Sequence, residues 1–340
     1  MKILNIIRSH EWWAYKLPPL LAIAYATTLM SSTPLYKVAL WFVFLLSSLI
    51  IGAVYVSVIN DITDLDEDLA SGKSNRIQQV PVQFRWFIPI LCISIGFVFG
   101  YFIYPDVLSC SLYFCSWVVF SLYSIKPIRL KARGIFGVFA DCSGSHLFPS
   151  LLMVSSVSYY TNTAINFTWF SLIGIWAFCY GLRGILWHQF SDRENDIKVK
   201  LNTYASKIEP LRFKNQTIII ITLELLALCG LLYKISIIAV FIALIFYIIL
   251  VFIRYKWFAS QLIIIIKHKP GNYQILMADY YQVFLPVSLL VASSLSNYYN
   301  LFILIAHIIL FPNAIIEAIA NYITLAKILF AKIFYRVKNN

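Results

Sequence analysis

Residues 38–68 read VALWFVFLLSSLIIGAVYVSVINDITDLDED, a stretch without a single charge from Val38 to Asn60 that then places five carboxylates in the eight positions Asp61 to Asp68. The uncharged part is long enough to cross a bilayer core of about 30 Å, which takes roughly 20 residues of helix. Stretches of the same kind lie near 15–31, 86–104, 106–124, 135–155 and 166–190, and again near 216–233, 235–253, 280–296 and 299–319. The last is interrupted by Pro312, Asn313 and Glu317, so the count is nine or ten according to whether 280–296 and 299–319 both cross. The reading is an all-α integral membrane protein, residues 1–340 forming one polytopic domain.

Composition agrees. In 340 residues, 61% are hydrophobic and 12% charged, with a mean hydropathy of +0.79. These values exclude a soluble multidomain chain, disorder, a collagen-like repeat and a coiled coil. Leu17 to Met30, preceded by Lys2, Arg8 and Lys16, has the outline of a cleaved signal peptide. Trp12 and Trp13 fit an interfacial belt better, and nothing after Met30 reads as a soluble mature domain, so this is taken as the first span. The six cysteines fall in or beside apolar stretches, with no CxxC and no histidine beside them, and read as small core residues.

Orientation follows from the basic residues. Of 27 Lys and Arg, 24 fall in the N-terminus, the connections 61–85, 125–134, 191–215 and 254–279, and the tail after 320. By the positive-inside rule these segments face the cytoplasm; the expected location is a bacterial inner (cell) membrane. The formal charge of +12 is thereby a topological signal, and it points to no nucleic-acid partner. No obligate protein partner is inferred.

Eight of the 15 acidic residues occupy two short segments at span ends on that same side, Asp61 to Asp68 and Asp192 to Asp196. If each continues its helix, Asp61, Asp64 and Asp68 fall at i, i+3 and i+7 and Asp192 and Asp196 at i and i+4, each set on one face, while Asp66 and Glu67 point elsewhere. A single such patch would read as a solvated helix end. Two on one side of the membrane call for cations, and ligands that are all oxygen suit Mg²⁺, which keeps waters and bridges to substrate phosphates. Basic residues follow each patch: Lys73 and Arg76, then Lys126, Arg129 and Lys131, then Lys198 and Lys200, with Arg183 just before the second. Metal-bound diphosphate leaves peripheral oxygens that arginine forks and lysine point charges can hold.

The chain resembles the UbiA superfamily of intramembrane prenyltransferases. Asn60 to Asp68 resembles its NDxxDxxxD motif and Asp192 to Asp196 its second, DxxxD motif; Tyr123-Ser124, Pro127 and Arg129-Leu130-Lys131 resemble its YS-x-x-P-x-RLK stretch, and Asn75-Arg76 an Asn-Arg pair after the first motif. The match covers roughly residues 8–205, leaving 216–340 less specific. It departs from the family where Lys200 stands in place of a frequent Gly and where no Pro follows Lys73. The lead Arg183 to Gln189 resembles a bacterial subgroup. The resemblance implies nine helices around a central cavity open to the cytoplasmic face, with Mg²⁺ and the diphosphate of an isoprenyl donor between the two motifs. It assigns metal binding to Asn60, Asp61, Asp64, Asp68, Asp192 and Asp196, catalysis to the five aspartates among them, and the diphosphate to Arg76 and Lys131. Lys73, Tyr123, Arg183, His188 and Lys198 are further candidates for substrate binding.

The expected chemistry is ionisation of an isoprenyl diphosphate and transfer of the prenyl group to a lipophilic, aromatic acceptor, with aromatic side chains facing the cation and the donor tail among the helices in the lipid. Two competing readings use parts of the same pattern. A membrane terpene cyclase of the same superfamily would need the same ionisation, whereas a secondary transporter would call for broken helices near the midplane. Asp141, Ser143, Ser145 and His146 inside the fifth span are polar residues at membrane depth and so candidates for acceptor contact. His10 and Glu11 beside Arg8 are a similar case at the cavity mouth.

Overall fold

Leu17 to Thr28 form the centre of the molecule. All twelve are buried, so this part of the first helix, α1 (Ser9–Met30), is covered on every side, which is how a helical segment without a polar face is accommodated. The structure, a computed structural model, describes residues 7–267 and 269–339; Lys2 of the basic N-terminal group lies outside them. Around α1, in chain order, come α2 (Leu35–Thr63), the short α3 (Leu65–Ala70), α4 (Phe87–Ile103), α5 (Val107–Ser124), α6 (Ile135–Cys142), α7 (Phe148–Tyr160), α8 (Phe167–Lys198), α9 (Lys214–Ile235), α10 (Ile238–Trp257), α11 (Leu285–Ser296), α12 (Leu301–Leu310) and α13 (Pro312–Asn339).

Each apolar stretch of the sequence holds helix, but not every one is a single rod. Among the described residues six helices are long and apolar enough to cross a membrane: α2, α4 with its lead-in (Val82–Ile103), α5, α8, α9 with its lead-in (Pro210–Ile235) and α10. The segment Tyr298–Leu310 and the start of α13 qualify as a pair but bend by 87°. That bend falls at Phe311, where Pro312 disfavours helical backbone in the residue before it. The 135–155 stretch is split by a π turn at Ser143–Leu147, and 280–296 opens on another at Tyr280–Phe284. Lys16, Pro18, Pro19, Thr27 and Thr28 dilute the hydropathy of α1, and burial against protein rather than lipid accommodates them.

One non-helical feature is absent from the sequence reading. In the connection after α10, β1 (Gln261–Ile263) and β2 (Tyr273–Ile275) pair in parallel, Gln261 opposite Tyr273 and Ile263 opposite Ile275. Ile263 and Ile265 are buried there, so this connection packs into the protein instead of lying in solvent.

Candidate active site

The helix carrying the first acidic segment does not run straight through it. It ends at Thr63, Asp64 forms the junction, and α3 restarts at Leu65. Asp61, Asp64 and Asp68 line one chamber, and Glu67, expected to point elsewhere, lines it too, because it stands one turn (i+3) beyond Asp64. Asp66 stays exposed. Asn75 locks the arrangement: its Nδ2 donates to the Asp61 carbonyl at 2.8 Å and to Asp68 Oδ2 at 2.9 Å, and its Oδ1 accepts from Ile77 N–H at 3.0 Å.

The second segment is the end of α8 and stays helical to Lys198. Asp192 and Asp196 line the same chamber as the first set. Thr203 Oγ1 donates to Asp196 Oδ2 at 2.9 Å, and Arg193 Nε donates to the carbonyls of Ala205 and Ile208 at 3.0 and 3.1 Å, strapping the following loop under the helix end.

The intervening loop is placed by two glycines. Gly134 has φ +60° and ψ −121°, a region open to glycine, and its N–H donates to Asn202 O at 3.1 Å, joining the loop to the segment after α8. At Gly137 a Cβ would stand 2.8 Å from Leu130 O and 2.9 Å from Lys131 Cα, so the missing side chain lets the Leu130–Lys131 turn settle on α6. Lys131 Nζ thereby reaches Asp64 Oδ2 at 2.5 Å. Arg129 donates to Asp64 Oδ1 at 2.9 Å and to Glu67 Oε2 at 2.6 Å. Its guanidinium is raised above its ordinary pKa, by the Glu67 carboxylate first and by Asp64 with it, against the opposing effect of burial.

These residues surround a polar chamber of about 230 Å³. Six carboxylates line it, Asp61, Asp64, Glu67, Asp68, Asp192 and Asp196, against four cations, Arg8, Lys73, Arg76 and Lys131. The cations rest on the acids: Arg8 on Asp61 at 3.2 Å, Lys73 on Asp192 at 3.0 Å, and Arg76 on Glu11 at 3.1 Å. Asp61 is buried, and its Oδ2 has no hydrogen-bond partner among the described residues. Among the described residues no three His, Cys, Asp or Glu side chains converge closely enough to hold a metal ion by themselves. That suits an ion bound through one or two carboxylates and completed by phosphate oxygens.

An apolar chamber of about 270 Å³ opens from the polar one, sharing Arg8, Asp64, Tyr123, Lys131 and His188 with it. Asn60 and Ser48, twelve residues apart on α2, both line it, so it extends about 18 Å along that helix. Trp12, Tyr55, Tyr113, Trp117, Phe120 and Tyr123 supply most of its aromatic wall. Asn60 stands at the junction, where it accepts from the Ser124 hydroxyl.

Of the residues singled out in the sequence, the two acidic sets, Asn60, Lys73, Arg76, Tyr123, Lys131 and His188 line one or both chambers. Arg183 and Lys198 line neither. Lys198 is exposed at the end of α8. Arg183, fully buried, donates to Glu224 Oε1 at 2.5 Å, to Ile264 O at 3.3 Å and to Leu276 O, an arrangement that ties the β1–β2 connection to α8 and α9. Arg8, 53 residues before its partner Asp61, is a cation of the site that the sequence analysis does not assign, and Arg129, expected among the bases available to diphosphate, is paired with Asp64 and Glu67.

Comparison with known proteins agrees with this geometry. The sequence profile of the UbiA prenyltransferase family matches residues 17–263. No curated protein matches the sequence significantly. Among solved structures, a UbiA homolog from Archaeoglobus fulgidus bound to GPP and Mg²⁺ superposes with a TM-score of 0.52 at 15% identity, over 89% of this chain and 99% of the homolog. The same homolog bound to DMAPP and Mg²⁺ gives 0.52 at 15% identity, and bound to Cd²⁺ 0.57 at 14%, with the same coverage. The profile spans both acidic segments, and the chain belongs to the UbiA prenyltransferase family.

Proposed function

We propose that this protein is a Mg²⁺-dependent intramembrane prenyltransferase that ionises an isoprenyl diphosphate and passes the prenyl group to a lipophilic, aromatic acceptor. The observation that carries this is the junction of the two chambers: an acid-rich polar chamber built from two helix ends opens directly into an apolar, aromatic-lined one. A diphosphate with an isoprenoid tail has that same division of polarity. The reading includes one polytopic domain of nine or ten membrane helices, with its mouth on the cytoplasmic side of a bacterial inner membrane.

Asp61, Asp64 and Asp68 with Asn60 on one side, and Asp192 and Asp196 on the other, are the residues that would hold the metal. The GPP and DMAPP complexes of the archaeal homolog, each with Mg²⁺, support this donor class. Bound there, the ion supplies positive charge to the departing diphosphate. On donor entry, Lys73, Arg76 and Lys131 exchange their carboxylate partners for phosphate oxygens, which keeps every cation paired. Charge on the diphosphate grows as the C1–O bond breaks, so these contacts strengthen toward the transition state. Tyr123, common to both chambers, stands where C1 would lie, and its ring and the neighbouring aromatic faces shield an allylic cation from water.

The test is a product assay on purified protein with prenyl diphosphates of several lengths, with and without aromatic acceptors, with Mg²⁺ or EDTA. Prenylated acceptor formed only with metal is the expected result. Acceptor-free hydrocarbon would mean cyclisation instead, and no consumption of any prenyl diphosphate would end the reading. Orientation has its own check: a cysteine at Ser71, in an otherwise cysteine-free background, should react with an impermeant reagent from the cytoplasmic side alone.

A further inference from the structure

The last two helices meet at a bend that the prenyl-transfer site does not use. α12 starts beside the α1–α2 turn, where Tyr36 N–H donates to Asn300 Oδ1 at 3.0 Å, and ends beside Trp13, whose Nε1 donates to Leu310 O at 2.7 Å. Trp13 belongs to the interfacial belt at the basic end of α1. The 87° bend at Phe311, whose ring centre lies 5.8 Å from that of Trp13, therefore falls at the membrane surface on that side. A second landmark agrees. Glu317, in the second turn of α13, meets Arg254 at 2.9 Å, and Arg254 stands in the last turn of α10, where the basic connection 254–279 begins.

From that bend α13 presents three sides. Ile315, Ala318, Tyr322 and Leu325, three to four residues apart, are buried or half-buried, and Tyr322 Oη donates to the Phe246 carbonyl of α10. Asn313, Glu317 and Thr324 form an exposed polar side. Ile316, Ile319, Ile323 and Phe330, at i, i+3, i+7 and i+14, form an exposed apolar stripe beside it. A polar side running along an apolar one suits a helix lying in the interface, not one crossing the bilayer. The charge is as lopsided as the polarity. Beyond Glu224 the sequence holds two acids, Asp279 and Glu317, and Arg254 takes both, at 2.6 and 2.9 Å. The other bases of that side find no acid in this part of the chain: Lys256 and Lys267 rest on rings, 5.0 Å from the centre of Trp257 and 4.7 Å from that of Tyr273, and Lys327, Lys332, Arg336 and Lys338 follow Glu317 with no acid among them.

We propose that α13 lies in the cytoplasmic interface and binds anionic phospholipid, its apolar stripe entering the acyl boundary and the positive charge of its sequence from Lys327 onward drawing headgroup phosphates. α12 is then the last helix to cross. This rests on the cytoplasmic orientation given under the proposed function and is independent of the prenyl chemistry. Positive-inside charge alone accounts for neither the stripe nor the bend. The contacts of Glu317 with Arg254 and of Tyr322 with Phe246 join α13 to α10, and so fix which side of it meets the lipid.

The experiment uses full-length protein reconstituted in bilayers of phosphatidylcholine and phosphatidylglycerol. Spin-labelled phosphatidylglycerol should associate with the protein about 5-fold more strongly than spin-labelled phosphatidylcholine at low salt, the effect of about one base per lipid, and the preference should shrink as salt is added. Replacing Lys327, Lys332, Arg336 and Lys338 together by Gln should remove most of the preference, whereas Lys234→Gln, on the opposite side of the membrane, should leave it. Depth is read separately in a cysteine-free background. A fluorophore on Ile323→Cys should be quenched more by lipid brominated near the headgroup than by lipid brominated near the chain end, and Thr324→Cys should react with an impermeant reagent from the cytoplasmic side. Equal association of the two lipids, a preference unchanged in the fourfold variant, or stronger quenching from the chain end with Thr324→Cys closed to reagent would overturn the proposal. Thr324→Cys open only from outside while Ser71→Cys is open from the cytoplasm would overturn it alone; both open only from outside would bring down the orientation itself.

Discussion

Two ionic assemblies inside this protein look alike in residue type and differ in what surrounds them. At the mouth, Asp64 meets Arg129 and Lys131 from a loop more than 60 residues away in sequence; deeper in the helices, Arg183 meets Glu224, which also accepts from Tyr281. Arg183 and Glu224 have side chains only 2% and 0% exposed, and Arg183 divides its donors between Glu224 and two backbone carbonyls. Tyr281 Oη donates to the same Glu224 Oε1 at 2.9 Å, while Glu224 Oε2 lies buried without a partner among the described residues, and neither residue lines either chamber. At the mouth the carboxylates outnumber the cations and border open volume. Charge within a membrane protein is thus weak evidence of a site by itself, and unmatched charge beside a cavity is strong evidence.

The sharpest way to break that comparison is to remove what the mouth is built to receive. EDTA should abolish turnover and Mg²⁺ or Mn²⁺ restore it, and Asp64→Ala or Asp192→Ala should each cost about 100-fold or more in kcat/KM, corresponding to the loss of several kcal/mol of transition-state stabilisation. Thermal unfolding of these two variants should stay close to wild type. Full turnover in metal-free buffer would contradict the assignment.

The inner assembly should respond in the opposite sense. Arg183→Met leaves Glu224 buried without its charge partner and should cost about 3–5 kcal/mol of stability, read as a lowered Tm in detergent. Arg183→Met with Glu224→Leu should recover most of that, and its folded fraction should be active. A double variant that is stable but inactive would return Arg183 to the substrate.

Smaller effects separate phosphate contacts from topology. Arg76→Ala and Lys131→Ala should each forfeit charge-assisted bonds of about 1.5–3 kcal/mol, about 10-fold to 100-fold, seen in kcat as well as donor KM. Smallest of all, Arg212→Ala and Lys214→Ala should change activity and stability by less than about 0.5 kcal/mol, because Arg212 is an exposed residue paired with Glu209 and neither lines either chamber. Equal losses across all four in a steady-state assay at matched expression would remove Arg76 and Lys131 from the diphosphate.

Much of this was legible in the chain because its signals are local. An uncharged run of helical length, and carboxylates at i, i+3 and i+7, need only neighbouring residues to be read, and both led to the right elements. What escaped depended on distant partners. Nothing near Arg183 announces Glu224, 41 positions later, so its place just before the second acidic segment suggested substrate contact. Asn75 and Arg129, from two other segments, hold Asp68 and Glu67 at the chamber wall. The π turns at Ser143–Leu147 and Tyr280–Phe284 leave no mark in hydropathy, since inserting one residue into a helical turn alters geometry and not composition. The parallel β1–β2 pair was invisible for a related reason: three-residue strands carry no measurable period, and Arg183 holds the connection from outside it.

The central claim is that the acid-rich mouth ionises a prenyl diphosphate, and the most direct measurement is inorganic diphosphate released from GPP by purified protein with Mg²⁺ and an aromatic acceptor, set against the Asp64→Ala, Asp192→Ala double variant in the same detergent. The account predicts steady release from wild type and none above background from the folded double variant. Equal release from both would contradict it.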